Sequence, residues 1–251
     1  MTNHGGLLSQ PVTLSKALAR GLDLYPDEVA LVTADGRWTW RELDDLSEAY
    51  ARNLLGLGLV VGDRVASLLP NCGGLFIHYL GAIKAGLVAV PLNYRYTSFE
   101  IDHALDISGA RALVHEVERQ DDVAGAKATA ALQWRIVHGE GGRPNEAVDF
   151  ADLLVPGAGR AALPEASEDT ASIIFFTSGS TGPAKGVTHT HRSLGWVFAS
   201  AARSYQLAPD DRVMAASSCS HVGGYLNVFA AWSEGARHWC LGSAIFWVSW
   251  R

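Results

Sequence analysis

Cysteine is scarce in this 251-residue chain, and no long apolar run occurs in it. The three cysteines, Cys72, Cys219 and Cys240, are scattered and odd in number, and no CxxC pair exists. That argues against a disulfide framework and against a zinc-ribbon pattern. Reduced thiols in a cytoplasmic protein are the expectation. No apolar stretch approaches the roughly 18–20 residues that span a bilayer, so no transmembrane segment is expected. The start, Met1 to Gly6, has no charged region leading into an apolar one, and no signal peptide is read there. Positive charge is not in surplus either: 20 Lys and Arg face 26 Asp and Glu, a formal net charge of −6. A broad basic face is therefore excluded, and nucleic acid is not expected as a partner.

What is present is core material. Hydrophobic residues make up 48% of the chain and charged ones 18%, enough for a folded interior. Helical and extended signals alternate. Leu14, Leu18 and Leu22 fall on one face of a predicted helix over Val12 to Leu22. Val29 to Thr33 reads as a strand, Ala34 to Arg37 as a turn, and Trp38 to Trp40 as renewed extension. Thr39 and Glu42 have capping-box spacing ahead of Leu43, Leu46, Tyr50 and Leu54, and Gly56 and Gly58 end that helix. Arg64 to Leu69 is a strand. Leu75 to Ala85 is a helix closed by Gly86, and Leu87 to Val90 is a strand stopped by Pro91. Thr97 and Glu100 repeat the capping box before Ile101 to Ile107. Further strands are expected at Ala112 to Val114 and Arg135 to Val137, a surface connection over 139–169, and a strand at Ser172 to Phe176. This alternation predicts an α/β layered fold with a largely parallel sheet.

The strand at Ser172 to Phe176 runs directly into Thr177-Ser178-Gly179-Ser180-Thr181-Gly182-Pro183-Ala184-Lys185-Gly186. Glycines let a backbone approach a ligand closely, and successive N–H groups in such a turn form a concave anion site. The hydroxyls add donors, and Lys185 adds a mobile positive charge. A helix following the loop would turn its N-terminus toward the same anion. The Walker spacing fails, because Ala184 precedes Lys185 and Gly186 follows it. The dinucleotide fingerprint fails as well, because Thr181 stands two places after Gly179.

The segment Phe176 to Val187 resembles the signature of the AMP-binding, adenylate-forming superfamily, which includes acyl-CoA synthetases, peptide-synthetase adenylation domains and firefly luciferase. The resemblance runs from about Leu14 to about Arg237. Gly81 to Arg95 and Ser108 to Val114 resemble the acyl-CoA synthetase branch. The resemblance implies an incomplete N-terminal domain of such an enzyme, a ligase using ATP, Mg²⁺ and coenzyme A to convert a fatty or aromatic carboxylate to an acyl-adenylate and then a thioester. It implies that Thr177, Ser178, Gly179, Ser180, Thr181, Gly182 and Lys185 cradle the β- and γ-phosphates. It also implies a role for His221, within Ser217 to Gly224, beside the carboxylate and the thiol's route; the alternative is a histidine capping the next helix. Thr190 is expected to cap a helix facing Leu194, Val197, Phe198 and Ala201 to the core. His189 and His191 have no partner spaced to complete a zinc site. Tyr225 and Phe229 are read as core, with an acyl-pocket lining as the alternative.

The same resemblance implies that the adenine-binding motif, the ribose-binding acid and a C-terminal lid domain with its catalytic lysine lie outside this sequence. Residues 238–251 depart from the family pattern and hold three of the eight tryptophans, Trp239, Trp247 and Trp250. A frameshifted or prematurely ended product is the expectation there, with a divergent terminal strand as the alternative. Further expectations are weak or no turnover by this polypeptide and self-association through exposed core surface. A non-catalytic nucleotide- or partner-binding fragment and a carrier-protein-loading adenylation domain remain the competing readings.

Overall fold

The computed structural model describes residues 14–142, 144–157, 162–165, 167–177, 183–214 and 217–240. Its first elements are a 3-10 turn over Leu14–Lys16 and helix α1 (Ala19–Leu24). One continuous helix was expected there. Leu14 and Leu18 are nevertheless buried. Six residues form too few hydrogen bonds to hold a helix alone, so packing sets the segment's shape. The strands β1 (Val29–Val32) and β2 (Arg37–Thr39) pair antiparallel around the expected turn. Helix α2 (Trp40–Gly56) starts on the predicted capping box: Glu42 N–H donates to Thr39 Oγ1 at 3.1 Å, and Thr39 N–H donates to Glu42 Oε2 at 2.8 Å.

An α/β alternation follows: β3 (Arg64–Leu68), α3 (Gly73–Lys84), β4 (Val88–Pro91), α4 (Ser98–Ser108), β5 (Ala112–Glu116), α5 (Gln120–Gly125) and β6 (Trp134–His138). Gly86, with φ of +68°, makes the sharp entry to β4 that a side chain would strain. The stretch 139–169 is more than a surface connection. It contains β7 (Val148–Asp149), which pairs with β6, and it buries Phe150 and Leu153. Asn53 Nδ2 on α2 donates to Leu153 O at 2.8 Å, so a helix far back in the chain holds this segment down. The remaining elements are β8 (Ala171–Thr177), β9 (Lys185–Thr190), α6 (His191–Tyr205), β10 (Arg212–Met214), α7 (Val222–Ser233) and β11 (Arg237–Trp239).

Two sheets result. The larger has the order β7-β6-β5-β3-β4-β8-β9, parallel throughout except for β9 against β8. The smaller has the order β10-β11-β1-β2. Strands β3, β4 and β5 are buried on both faces, as expected for a parallel sheet covered by helices. On one face Val65, Ala89, Ala112, Ile173 and Phe175 join a core with α2, α3, α6 and α7. On the other, Ala66, Val90, Leu113 and Phe176 meet Ile101 and Leu105 of α4. So α3 and α4 leave β3 and β4 toward opposite faces, which opens a crevice at the carboxyl ends of those strands.

Strand β11 runs through residue 237: His238 and Trp239 pair in parallel with β1 on one side and β10 on the other. Cys240 N–H then donates to Val32 O at 2.7 Å.

Candidate functional site

The glycine-rich segment begins at the carboxyl end of β8. Ile173 to Phe176 put apolar side chains alternately into the two cores, and Thr177 is the first exposed residue of the strand. The chain returns as β9, with Thr177 paired to Lys185 and Phe176 to Gly186. This corrects the expectation of a helix directly after the loop. β8 and β9 are an antiparallel pair at the end of the sheet order, and α6 starts only at His191. Residues Ser178, Gly179, Ser180, Thr181 and Gly182 lie outside the described residues. Of the expected phosphate-binding set, Thr177 and Lys185 are described; they are cross-strand neighbours, both exposed. Thr177 Oγ1 donates to Lys185 O at 3.4 Å.

Helix α4 braces the returning strand. His103 Nε2 donates to Ala184 O at 2.9 Å, which fixes the chain one residue before Lys185. Between α4 and the hairpin lies a groove of about 450 Å³, lined by His103, Ile107, Ile174, Phe176, Ala184 and Lys185, among others.

His221 stands at the N-terminus of α7 but does not cap it through its side chain. Its exposed imidazole turns to the loop after β4, where Asn93 Nδ2 donates to His221 Nε2 at 3.4 Å. The segment before it is fastened to the loop after β3. Asn71 Nδ2 donates to Ser217 O at 3.1 Å, and Asn71 Oδ1 accepts from Cys219 N–H at 2.8 Å. Tyr79 OH donates to Cys219 O at 3.1 Å from within the core. The buried Cys219 and Cys240 thiols influence each other, which raises Cys219 and lowers Cys240. His221 and the hairpin thus both occupy the carboxyl edge of the parallel sheet, His221 above β4 and the hairpin on the adjacent β8.

Asn71 and Asn93 were given no role by sequence reasoning. The available signal was their position: each is a polar residue directly after the apolar strand of a parallel α/β unit. Thr190 caps α6 as expected, accepting from Ser193 N–H at 3.1 Å. Leu194, Phe198 and Ala201 are buried there, whereas Val197 is exposed, because the helix rests on a narrower stripe than its spacing implied. Tyr225 and Phe229 are fully buried and stack at 4.2 Å, packed with Phe198 and Phe175. They are core residues. No cluster of metal ligands among the described residues includes His189 or His191.

The profile of the family described as AMP-binding enzyme matches residues 18–248. The chain belongs to that family. Among curated members, feruloyl-CoA synthase from an Amycolatopsis species is 36% identical over 217 residues, covering 86% of this chain and 40% of that protein. Long-chain-fatty-acid–CoA ligase FadD13 from Mycobacterium tuberculosis is 29% identical over 228 residues, covering 91% of this chain and 43% of its own length. The chain therefore spans less than half the length of these relatives. Among solved structures, the N-terminal domain of FACL13 from Mycobacterium tuberculosis superposes with a TM-score of 0.81 at 26% identity, covering 93% of this chain and 58% of that one. A benzoate CoA ligase from Burkholderia xenovorans shares the fold with a TM-score of 0.80 at 24% identity, covering 92% and 45%. The α/β layered fold with a largely parallel sheet is the fold of this family's N-terminal domains. No helix among the described residues is long and apolar enough to cross a membrane.

Proposed function

We propose that this chain supplies the phosphate-binding loop and the carboxylate-side histidine of an ATP-dependent acid–thiol ligase. The observation that carries the reading is the shared placement of the Thr177–Lys185 hairpin and of His221 at the carboxyl edge of one sheet. In such a reaction a carboxylate oxygen attacks the α-phosphorus of ATP and pyrophosphate leaves. The thiol sulfur of coenzyme A then attacks the acyl carbon and AMP leaves. The first step brings two anions together, so charge neutralisation and alignment are the protein's main tasks. Lys185 and the hydroxyl and backbone N–H groups of 177–182 suit the β- and γ-phosphates. Mg²⁺ bound to the phosphate oxygens would shield the same charge. His221, held by Asn93, would stand beside the acyl carboxylate.

The substrate class we favour is a fatty or aromatic carboxylic acid, since relatives named for both are found. A carrier-protein-loading adenylation domain is the second reading, because a phosphinothricin tripeptide synthetase from Streptomyces viridochromogenes is 31% identical over 224 residues. The deciding measurement is carboxylate-dependent exchange of labelled pyrophosphate into ATP, across a panel of acids, followed by thioester formation with and without CoA. A thioester formed only on a carrier protein would favour the second reading.

Assayed as the 251-residue polypeptide, we expect ATP to raise the melting temperature and turnover to be weak or nil. Lys185→Ala should abolish the ATP-dependent shift without lowering the ligand-free melting temperature. No shift for the wild type at millimolar ATP would overturn the phosphate assignment. Robust exchange would overturn the expectation of weak turnover, and leave a non-catalytic fragment untenable.

A further inference from the structure

Away from the hairpin, three different ligand types meet at the β3–β5–β6 side of the sheet. Asp35 comes from the turn between β1 and β2, Cys72 from the residue before α3, and His138 from the carboxyl end of β6. Their ligand atoms all lie within 4.8 Å of one another. These residues are far apart in sequence and belong to both sheets. None of the motifs singled out above uses them.

Each of the three is held in place. His138 Nδ1 is 2.8 Å from Glu116 Oε2, and its ring stands edge-on to Phe150 with centroids 5.1 Å apart. The opposite edge of the ring, with Nε2, lies against Gly74; a Cβ built there would sit 2.5 Å from Nε2. So Nε2 faces the start of α3, where Cys72 sits. A carboxylate on the far ring nitrogen is the arrangement that orients metal-binding histidines and raises their basicity. Asp35 Oδ1 accepts from Thr33 Oγ1 at 2.5 Å and shares the Gly73 N–H, at 3.2 Å, with Oδ2, at 3.1 Å, which leaves a free lone pair on Oδ2. Cys72 is buried, His138 half-buried and Asp35 exposed, so the cluster has a closed floor and an open side.

The geometry points to a binding site for one divalent transition metal of the zinc class, with Asp35, Cys72 and His138 as ligands and Glu116 supporting His138. Thiolate, imidazole and carboxylate together suit zinc, and three protein ligands leave the fourth tetrahedral position to water on the open side. Metal–ligand bonds of about 2.0–2.3 Å require ligand atoms about 3.3–3.8 Å apart. The ligand atoms, within 4.8 Å of one another, must therefore close by up to about 1 Å, through small shifts shared among the three side chains. Burial and the neighbouring Asp35 and Glu116 carboxylates push the Cys72 thiol up to about 12, so a metal bound here must displace its proton, which the backbone N–H groups at the start of α3 assist. Asp35 and Glu116 add two negative charges, which favours the cation overall. A metal here would join the β1–β2 turn of the smaller sheet to β6 and α3 of the larger one, next to Asn71.

The test is titration of the untagged, reduced and chelator-treated 251-residue chain with Co²⁺ and with Zn²⁺, followed by absorbance and calorimetry. We expect one equivalent of Co²⁺, a thiolate-to-cobalt charge-transfer band, and displacement by Zn²⁺. Cys72→Ser should lose the band. Asp35→Asn, His138→Gln and Glu116→Gln should each weaken Zn²⁺ affinity by about 10–100-fold. Cys219→Ser and Cys240→Ser should leave it unchanged. Circular dichroism checks folding; if Cys72→Ser does not fold, the exposed Asp35→Asn gives the reading without disturbing the core. Failure of the folded wild type to bind saturably, a band that survives Cys72→Ser, or affinity that survives Asp35→Asn and His138→Gln together would overturn the site.

Discussion

Asn71 fastens Cys219 across the carboxyl edge of the sheet: Asn71 Oδ1 accepts from the Cys219 N–H at 2.8 Å while its amide nitrogen donates to Ser217 O. The residues that precede His221 are thereby held by a side chain almost 150 positions earlier in the chain. Asn71→Ala leaves a buried N–H and a carbonyl without these partners. We expect a cost of about 1–3 kcal/mol. For a chain of this length, that is a fall of a few degrees in melting temperature per kcal/mol. Asn71→Asp keeps the acceptor and should recover part of the loss. Equal melting temperatures for wild type and Asn71→Ala would show that the clamp is idle.

Gly21 in α1 lies flat against the indole of Trp40. A Cβ there would stand 2.2 Å from Trp40 Cδ2, and that indole is fully buried. Gly21→Ala gains up to about 1 kcal/mol of helix propensity. The overlap with a ring that cannot move aside should outweigh it, at about 1–3 kcal/mol or more. Chemical denaturation should therefore show net destabilisation, and a stabilised Gly21→Ala would contradict the packing described.

Stability should fall on mild acidification. Burial lowers His78 from 6.5 to about 3, and its Nδ1 shares a hydrogen bond with Tyr50 OH at 3.0 Å. The unfolded chain takes up a proton near pH 6.5 that the folded chain refuses until near pH 3. Stability is thus fully present above pH 6.5 and declines as pH falls toward 3, by about 1.4 kcal/mol per unit at most for this group. His115 and His191, also lowered by burial, act in the same direction. Urea melts at pH 7.5 and pH 5 should differ by about 2 kcal/mol from His78 alone. His78→Asn should be less stable at pH 7.5 but flatter with pH; an unchanged slope would remove His78 as the cause.

Self-association is expected of the 251-residue polypeptide. Trp196, Val197 and Tyr205 of α6 are exposed, as is Val187 on the edge strand β9. An apolar face beside a strand edge that no described strand pairs favours chain-to-chain contact. Sedimentation velocity should show mass rising with concentration, and Trp196→Glu should reduce it. A monomer at all concentrations would refute this.

The two capping boxes, Thr39 with Glu42 and Thr97 with Glu100, were legible in the sequence because each is complete within one helical turn. Strands β3, β4 and β8 were legible because both their faces are buried and they read as apolar runs. Strand β9 was not. Lys185-Gly186-Val187-Thr188-His189-Thr190 is largely exposed and carries no alternation, so its conformation comes from the ladder with β8. Asn71, Asn93 and the Asp35–Cys72–His138 cluster were also hidden, because only strand order brings them to their partners. Over 177–186 the residue types were legible, but the antiparallel return of the chain as β9 was not.

That return bears on how tightly an anion can be held. The ladder pairs Thr177 with Lys185 before any ligand arrives. The entropy lost in closing the chain over 178–184 is therefore part of the free energy of folding. A ligand settling into the loop need not supply it again, so more of its contact energy is expressed as affinity.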